Sequence, residues 1–223
     1  WHLAGLEADD LAPESVSRLK NTPNDRGFDE FYGTLLGGNN YFSPKYLFQN
    51  DKPIPGTSTD YYYTEAISRE SAGFITSHMK RHKEQPFFLY VAYTSPHWPI
   101  QAPASTIDKY RKRYQQGWDA IRRQRFEKMV AEEILNGEWS LSGRDKSIPS
   151  WQDASYKTWE AGRMAVHAAM IDHMDQGVGA ILSALRNSGE FDNTLVIFLS
   201  DNGASDAIPP QSENPQIQAR LKK

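Results

Sequence analysis

The chain has 223 residues, which suits one domain or part of a larger protein because an average domain has roughly 150. Hydrophobic residues make up 39%, and glycine raises the apolar share to about 46%, as in globular proteins, so disorder throughout is excluded. A formal net charge of −3 offers no basic surface for a nucleic acid, and no apolar run approaches the roughly 20 residues of a membrane helix. The absence of cysteine excludes disulfides, thiolate metal ligands and a thiol nucleophile.

The first part of the chain predicts loops and short strands. It begins at Trp1 without a methionine or a basic-then-apolar leader, so we expect a start set by truncation. From Trp1 to about Pro55, turn-forming Gly, Asn, Pro and Asp separate short aromatic runs. From Thr59 to Lys83, apolar residues recur at helical spacing between charges, which predicts an amphipathic helix that ends before Pro86.

Two short apolar segments, Phe87–Tyr93 and Leu195–Leu199, are interpreted as buried strands because they lack polar alternation. Between them, helix formers and a loop rich in Gly, Ser, Pro and Trp predict a helical excursion at about 105–153. A long helix is then expected from about Tyr156 to Arg186, with Asn187-Ser188-Gly189 as its C-cap. Its predicted apolar face comprises Met164, Ala168, Ile171, Met174, Val178, Ile181, Leu182 and Leu185.

This order of elements predicts the α/β class, with helices flanking a mostly parallel sheet. Ligands bind beyond the carboxyl ends of such strands, and both predicted strands end in polar motifs. One motif, residues 95–99, contains His97, and the other contains Asp201 and Asn202. We therefore expect the chemistry of the protein at one edge of the sheet. Residues 1–205 are interpreted as a partial domain, and residues 206–223 as a disordered or non-native tail.

Asp201 and Asn202 offer a carboxylate and an amide oxygen on adjacent positions, which suits a hard cation such as Ca²⁺ or Mg²⁺. Asp-Asn-Gly is also a common turn sequence, so a purely structural role stays open. His97 can donate a hydrogen bond or a proton to an anionic ester, or it can simply pack against Trp98. His2 carries no signal by itself.

The other histidines and acids are expected on solvated or packed helix faces rather than in a metal site. They are His78, His82, His167, Asp172, His173 and Asp175. A basic cluster could attract an acidic substrate, although interleaved acids favour a solvated helix face. Its members are Lys109, Arg111, Lys112, Arg113, Arg122, Arg123, Arg125 and Lys128.

Several short motifs occur in one order along the chain. They are Trp1-His2-Leu3, the Gly-Phe-Asp-Glu-Phe-Tyr-Gly run of 27–33, Pro-Phe-Phe-Leu at 86–89 leading to Ser-Pro-His-Trp-Pro at 95–99, Met174-Asp175, and the segment 192–198 ending in Ser-Asp-Asn-Gly at 200–203. In this order they resemble the type I sulfatases, arylsulfatase-like enzymes of the alkaline phosphatase superfamily. The resemblance covers residues 1 to about 205 and implies an incomplete α/β sandwich of the alkaline phosphatase type.

The resemblance implies a role for each matched residue. Asp201 and Asn202 are implied to be two of the four protein ligands of a Ca²⁺. His97 is implied to bind the sulfate and assist departure of the alcohol, and His2 to contact the hydrated aldehyde of the nucleophile. That nucleophile is a formylglycine made from a Cys/Ser-x-Pro-x-Arg motif, which this chain lacks. The tandem aspartates of the metal shell are also missing, so we expect the chain alone to be inactive.

The implied function is hydrolysis of sulfate esters, with a sulfated small molecule or glycan as substrate. Two alternatives stay open: a phosphodiesterase or phosphonate hydrolase of the same superfamily, and a non-catalytic module that binds sulfated glycans. The family implies a periplasmic, secreted or lysosomal protein, although this chain carries no signal peptide.

Overall fold

A computed structural model describes residues 21–35 and 40–203 of the chain. The chain divides into two compact units, Trp1–Phe191 and Asp192–Lys223. The first unit holds the sheet and the four α-helices, and the second contributes described residues 192–203. His2 and the predicted tail of 206–223 lie outside the described residues.

A small antiparallel sheet lies near the beginning of the first unit. Its strands are β1 (Tyr32–Thr34), β2 (Leu47–Gln49) and β3 (Lys52–Pro53), in the order β1-β2-β3. The turn between β2 and β3 has two residues, and the first, Asn50, has a φ of 55°, as tight hairpins require. The predicted loops and short strands of the first 55 residues are therefore confirmed for residues 21–35 and 40–55.

The predicted parallel sheet is not found in the part of the chain that the structure describes. Residues 87–93 form no ladder, and they are covered on one face only: Val91 and Tyr93 pack against the core, whereas Phe88 and Tyr90 are 78% and 64% exposed. Residues 195–199, taken by themselves, likewise form no strand and are exposed. An apolar run favours an extended backbone, but a strand also needs a neighbour for its N–H and C=O groups.

The described part of the first unit contains four α-helices: α1 (Tyr63–Arg81), α2 (Ala104–Tyr114), α3 (Gly117–Ala131) and α4 (Lys157–Ser188). The helices predicted before Pro86 and from about Tyr156 are confirmed as α1 and α4. Gly189 caps α4 with a φ of 79°, and its N–H reaches the carbonyls of Leu185 and Arg186, as the C-cap prediction requires. Among the helices that the structure describes, none combines the length and apolar character of a membrane span.

The buried face of α4 is the predicted one only at Leu185. Ile171 is 40% exposed, and the large apolar residues around it are mostly half-buried. The fully buried stripe instead carries mainly small side chains: Ala161, Ala165, Ala169, Met170, His173, Gly177 and Leu185. Small residues let α1 and α4 approach closely, so side-chain size rather than hydrophobicity selects the buried face.

A polar network joins α2 to α4 through Asp172, whose side chain is 10% exposed. Asp172 accepts hydrogen bonds from Lys109 Nζ at 2.6 Å, Gln176 Nε2 at 2.8 Å and Tyr110 Oη at 2.9 Å. The Lys109 bond is the largest influence that lowers the pKa of Asp172, from 3.8 to about 2. The network therefore stabilises the ionised carboxylate in the folded state.

Asp172 is expected to make folding stability pH-dependent in acid. Because its folded pKa is depressed, its contribution is complete above pH 3.8 and disappears as the pH falls to about 2. Lys109 is 60% exposed, so water screens the pair and we expect a contribution of about 1 kcal/mol. Urea unfolding at pH 5 and pH 2 should show that Asp172→Asn removes this part of the acid sensitivity. Asp175→Asn, an exposed change on the same helix, is the control, and an equal effect of both variants would contradict the network.

Candidate functional site

The segment 94–101 is a loop that contains His97, and hydrogen bonds hold this loop to two other parts of the first unit. The peptide bonds before Pro96 and Pro99 are both cis. Tyr41 Oη lies 2.8 Å from the carbonyl oxygen of Thr94 and 3.1 Å from that of His97. From the other side, Ser95 Oγ donates to the Met170 carbonyl of α4 at 3.1 Å. The loop position of His97 is therefore set by buried contacts although His97 itself is exposed.

The end of the same loop is held at Gln101. Its side-chain Oε1 accepts the N–H of Tyr41 at 2.9 Å, and its carbonyl accepts the hydroxyl of Tyr62 at 2.9 Å. Burial raises the pKa of both tyrosines to about 12. Both phenols therefore stay protonated and can donate these hydrogen bonds throughout the neutral range.

The His97 ring has a defined orientation. Its Nδ1 forms a hydrogen bond with the carbonyl oxygen of Trp98, and a carbonyl can only accept, so the proton is assigned to Nδ1. Nε2 is then the ring atom available to a ligand: it accepts a proton when neutral and donates one when the ring is protonated. The neighbouring Trp98 is 60% exposed. The loop thus presents an imidazole nitrogen beside an open indole, which suits proton transfer to or from a bound ester.

Asp201 and Asn202 lie in the second unit, in an exposed turn. Asn202 Nδ2 donates to the Gly203 carbonyl at 2.6 Å, and Ser200 Oγ donates to the Asn202 carbonyl at 2.6 Å. The bond to Gly203 uses the amide nitrogen of Asn202 and not its Oδ1, which is the atom that could bind a cation. The oxygens of Asp201 and Asn202 fit Ca²⁺, but within residues 21–35 and 40–203 no group of three His, Asp or Glu side chains could hold a metal ion. The closeness of this pair to His97 stays a prediction.

His173 has the packing role that the sequence predicts for it. It is buried on α4, with Nδ1 2.9 Å from Glu65 of α1 and Nε2 2.8 Å from Thr106 of α2. Tyr62 meets the ring edge-on at a centroid distance of 5.0 Å. His173 therefore links three helices, and its ring nitrogens are both engaged within the fold.

The charges of the basic cluster are partly used within the protein. Lys109 pairs with Asp172, Arg111 with Asp108, and Lys128 with Glu132. Arg122 donates to the Ser142 carbonyl at 2.7 Å. This pattern supports the interpretation as a solvated helix face for these four residues.

The contacts that hold the loop of His97 were not found by sequence reasoning: Tyr41 Oη bonds two loop carbonyls, Ser95 Oγ bonds the Met170 carbonyl, and Gln101 Oε1 accepts the Tyr41 N–H. Each contact joins the loop to a distant part of the chain, so it depends on chain geometry more than on local pattern. The aromatic and turn-rich character of residues 41–46 predicts a loop but does not indicate its contact 53 residues further along.

Comparison with known proteins decides the family. A model of the Sulfatase family matches residues 1–218. The chain belongs to the sulfatase family. An uncharacterized sulfatase of Schizosaccharomyces pombe is 32% identical over 242 residues, covering 97% of this chain and 40% of that protein. An arylsulfatase of Klebsiella aerogenes is 31% identical, and the match covers 83% of this chain and 42% of that protein. Mouse arylsulfatase J is 25% identical, and the match covers 91% of this chain and 26% of that protein.

The resemblance drawn from the motif order is thus confirmed, and with it membership of the alkaline phosphatase superfamily. A multifunctional alkaline phosphatase superfamily protein of Trinickia caryophylli is also similar, with 27% identity over 57% of the chain. The chain spans about 40% of the length of the yeast and Klebsiella sulfatases.

Proposed function

We propose that this chain is part of a sulfuric ester hydrolase in which His97 binds the sulfate group and protonates the departing alcohol oxygen. The observation that carries this proposal is the orientation of the imidazole. Nδ1 is hydrogen-bonded to the Trp98 carbonyl, which leaves Nε2 for a ligand. Tyr41 and Ser95 hold the loop in position through their hydrogen bonds. Membership of the sulfatase family supplies the class of ester.

The proposed reaction requires a nucleophile that attacks sulfur while the bond from sulfur to the alcohol oxygen breaks. Protonated His97 holds a non-bridging or leaving oxygen and gives its Nε2 proton to the alkoxide as it departs. The attacking hydroxyl gives up its own proton as its oxygen bonds to sulfur, which balances the proton that His97 gives to the alkoxide, and the sulfate stays covalently bound to the nucleophile. The nucleophile is proposed to be a formylglycine outside this chain, which has no Cys/Ser-x-Pro-x-Arg motif, and His2 is proposed to contact it.

The metal in this proposal is Ca²⁺, which when bound supplies positive charge to the sulfate oxygens. Asp201 and Asn202 would hold it with one carboxylate and one amide oxygen. Ca²⁺ takes 6–8 oxygens, so two residues make only part of its shell, and the further acidic ligands are proposed to lie beyond this chain.

A phosphodiesterase or phosphonate hydrolase is the second candidate. Its support is the similarity to the multifunctional superfamily protein of Trinickia caryophylli. The same imidazole orientation serves either ester, because sulfate and phosphate esters both present anionic oxygens and an alkoxide leaving group.

The test uses the chain with 4-nitrophenyl sulfate and 4-nitrophenyl phosphate. We expect no turnover above background for either ester, because the nucleophile supplies much of the rate and this chain lacks it. We expect the sulfate ester to shift the NMR signals of the His97 ring, which are identified by their loss in His97→Ala. Affinity should fall about tenfold in that variant.

His82→Ala is the matched control, because it removes another exposed histidine at the end of α1. It should leave ester binding unchanged. A sulfate ester that leaves the His97 signals unmoved would contradict the proposed role of His97. Tighter binding of the phosphate ester would favour the second candidate, and turnover that is lost in His97→Ala would show that the chain contains its own nucleophile.

A further inference from the structure

The first unit contains a cavity that shares no residue with the loop of 94–101. It has a volume of about 210 Å³ and lies between the end of α2, the loop before α4 and the first turns of α4. Its walls include Arg111, Gln115, Trp151, Lys157, Thr158 and Gly162. Ligand pockets for drug-sized molecules run from roughly 300 to 1,000 Å³, so this cavity suits a smaller group, such as one sugar ring.

The charge of the cavity is positive. Arg111 and Lys157 both line it, and the lining contains no acidic residue. Arg111 pairs with Asp108 through Nε, at 2.6 Å, which offsets part of its charge, but its two Nη groups take no part in that bond and can still donate to a ligand. Lys157 Nζ donates to the Gln152 carbonyl at 2.6 Å, and this neutral acceptor does not cancel the ammonium charge. Two cations on a small cavity favour an anionic ligand.

One wall of the cavity is an indole held in a fixed position. Trp118 meets Trp151 edge-on at 4.7 Å and 81°. The backbone N–H of Trp151 donates to Asp119 Oδ2 at 2.7 Å. Gly117 lies so close to the Trp151 ring that a Cβ on Gly117 would be 2.0 Å from it. An ordered aromatic surface beside hydroxyl, amide and cationic groups offers both an apolar face and hydrogen bonds. A pyranose ring has the matching pair of surfaces, C–H groups on its face and hydroxyls on its rim.

We propose that this cavity binds one pyranose ring that carries a sulfate group, with the ring against Trp151 and the sulfate between Arg111 and Lys157. Gln115 and Thr158 are placed to bond the sugar hydroxyls. The choice of sulfate as the anion rests on the proposed function, whereas the site itself rests on the charge and shape of the cavity. Such a site recognises a second sugar of a sulfated glycan, apart from the ester that meets His97.

The experiment measures binding of D-galactose 6-sulfate to the whole chain by calorimetry and ligand-observed NMR. Gly162→Leu is the informative variant, because a Cβ at Gly162 meets no atom within 4 Å and the longer side chain fills the cavity. We expect it to weaken binding at least about tenfold. Gly179→Leu is its matched control on the same helix, also in open space, and should bind as the unchanged chain does.

The charge is tested with Arg111→Gln, which should weaken binding about fivefold to tenfold. Lys112→Gln removes the next cation of α2, which does not line the cavity, and should have no effect. Unsulfated galactose should bind at least about tenfold more weakly than the sulfated sugar. Circular dichroism and melting of each variant separate lost binding from lost folding.

Three results would overturn the proposal. Equal binding to the Gly162→Leu and Gly179→Leu variants would place the sugar elsewhere. Glucuronate binding as tightly as the sulfated sugar would remove the assignment of sulfate as the preferred anion. Binding lost in His97→Ala would move the site to the loop of 94–101. Binding of the sulfated sugar that is retained in His97→Ala supports a site separate from the loop of 94–101. This result holds even if 4-nitrophenyl sulfate has no effect on the His97 signals. The two proposals can therefore fail independently.

Discussion

Replacing Gly177 with alanine is expected to destabilise the protein by about 2 kcal/mol. Gly177 lies on the buried face of α4, where an added Cβ would be 2.0 Å from Ser68 Oγ, 2.8 Å from Ser68 Cβ and 2.7 Å from Tyr93 Oη. Ser68 Oγ and Tyr93 Oη are already 2.8 Å apart in a hydrogen bond, so neither atom moves without losing it. The helices must therefore separate, and this strain exceeds the roughly 1 kcal/mol that alanine gains over glycine in a helix.

Gly179→Ala is the control for this experiment, because it makes the same change two residues further along α4 in open space. It should stabilise the protein by about 1 kcal/mol through helix propensity alone. Thermal and urea unfolding compare the two variants. Ser68→Gly should recover part of the stability lost in Gly177→Ala, since it removes Ser68 Oγ and Cβ, two of the three nearest atoms. Equal stability of the two alanine variants would contradict the close helix contact.

This contact explains why the helices but not their packing could be predicted from the sequence. Apolar spacing and the end signals at Pro86 and Gly189 locate α1 and α4 correctly. Hydrophobicity favours Ile171 for the core, but Ile171 is 40% exposed. Gly177 instead lies in close contact with Ser68 and Tyr93. A glycine carries no hydrophobic signal. Gly177 is needed at this position because a neighbouring helix packs closely against it, and the local sequence does not specify that neighbour.

The strands show the same division between local and long-range information. Residues 87–93 form no strand, although Val91 and Tyr93 pack against the core and the residues between and before them are exposed in alternation. Parallel pairing is a property of two segments, and the run of apolar residues contains no information about its partner. The prediction of two covered faces was wrong for this reason.

Local sequence likewise indicates the candidate site residue but not the contacts that position it. Motif order indicates His97 as a site residue, which stays a prediction, and turn chemistry explains its loop, because prolines on either side exclude helix and strand. The direction of Nε2 depends on the Trp98 carbonyl, and the position of the loop depends on Tyr41. The cavity beside Trp151 was also missed, because Arg111 enters it from α2 and Lys157 from α4.

Gly117→Ala is expected to cost about 3 kcal/mol of stability in the segment that contains α3 and the loop before α4. Gly117 has a φ of 84°, where a side chain is strained by about 1–2 kcal/mol. In addition, an added Cβ would meet the Trp151 ring at 2.0 Å, and the rigid indole has to leave its place against Trp118. Unfolding followed by tryptophan fluorescence, with hydrogen exchange of residues 117–153, measures both effects.

Gly27→Ala separates the two causes. Gly27 has a similar φ of 95°, but an added Cβ there meets no atom within 4 Å, so only the backbone cost of about 1–2 kcal/mol applies. The difference between the variants is therefore the cost of moving Trp151. Equal destabilisation would show that the ring is free to shift. A larger loss in Gly117→Ala, together with weaker binding of the sulfated sugar, would show that Gly117 keeps the indole wall of the cavity in position.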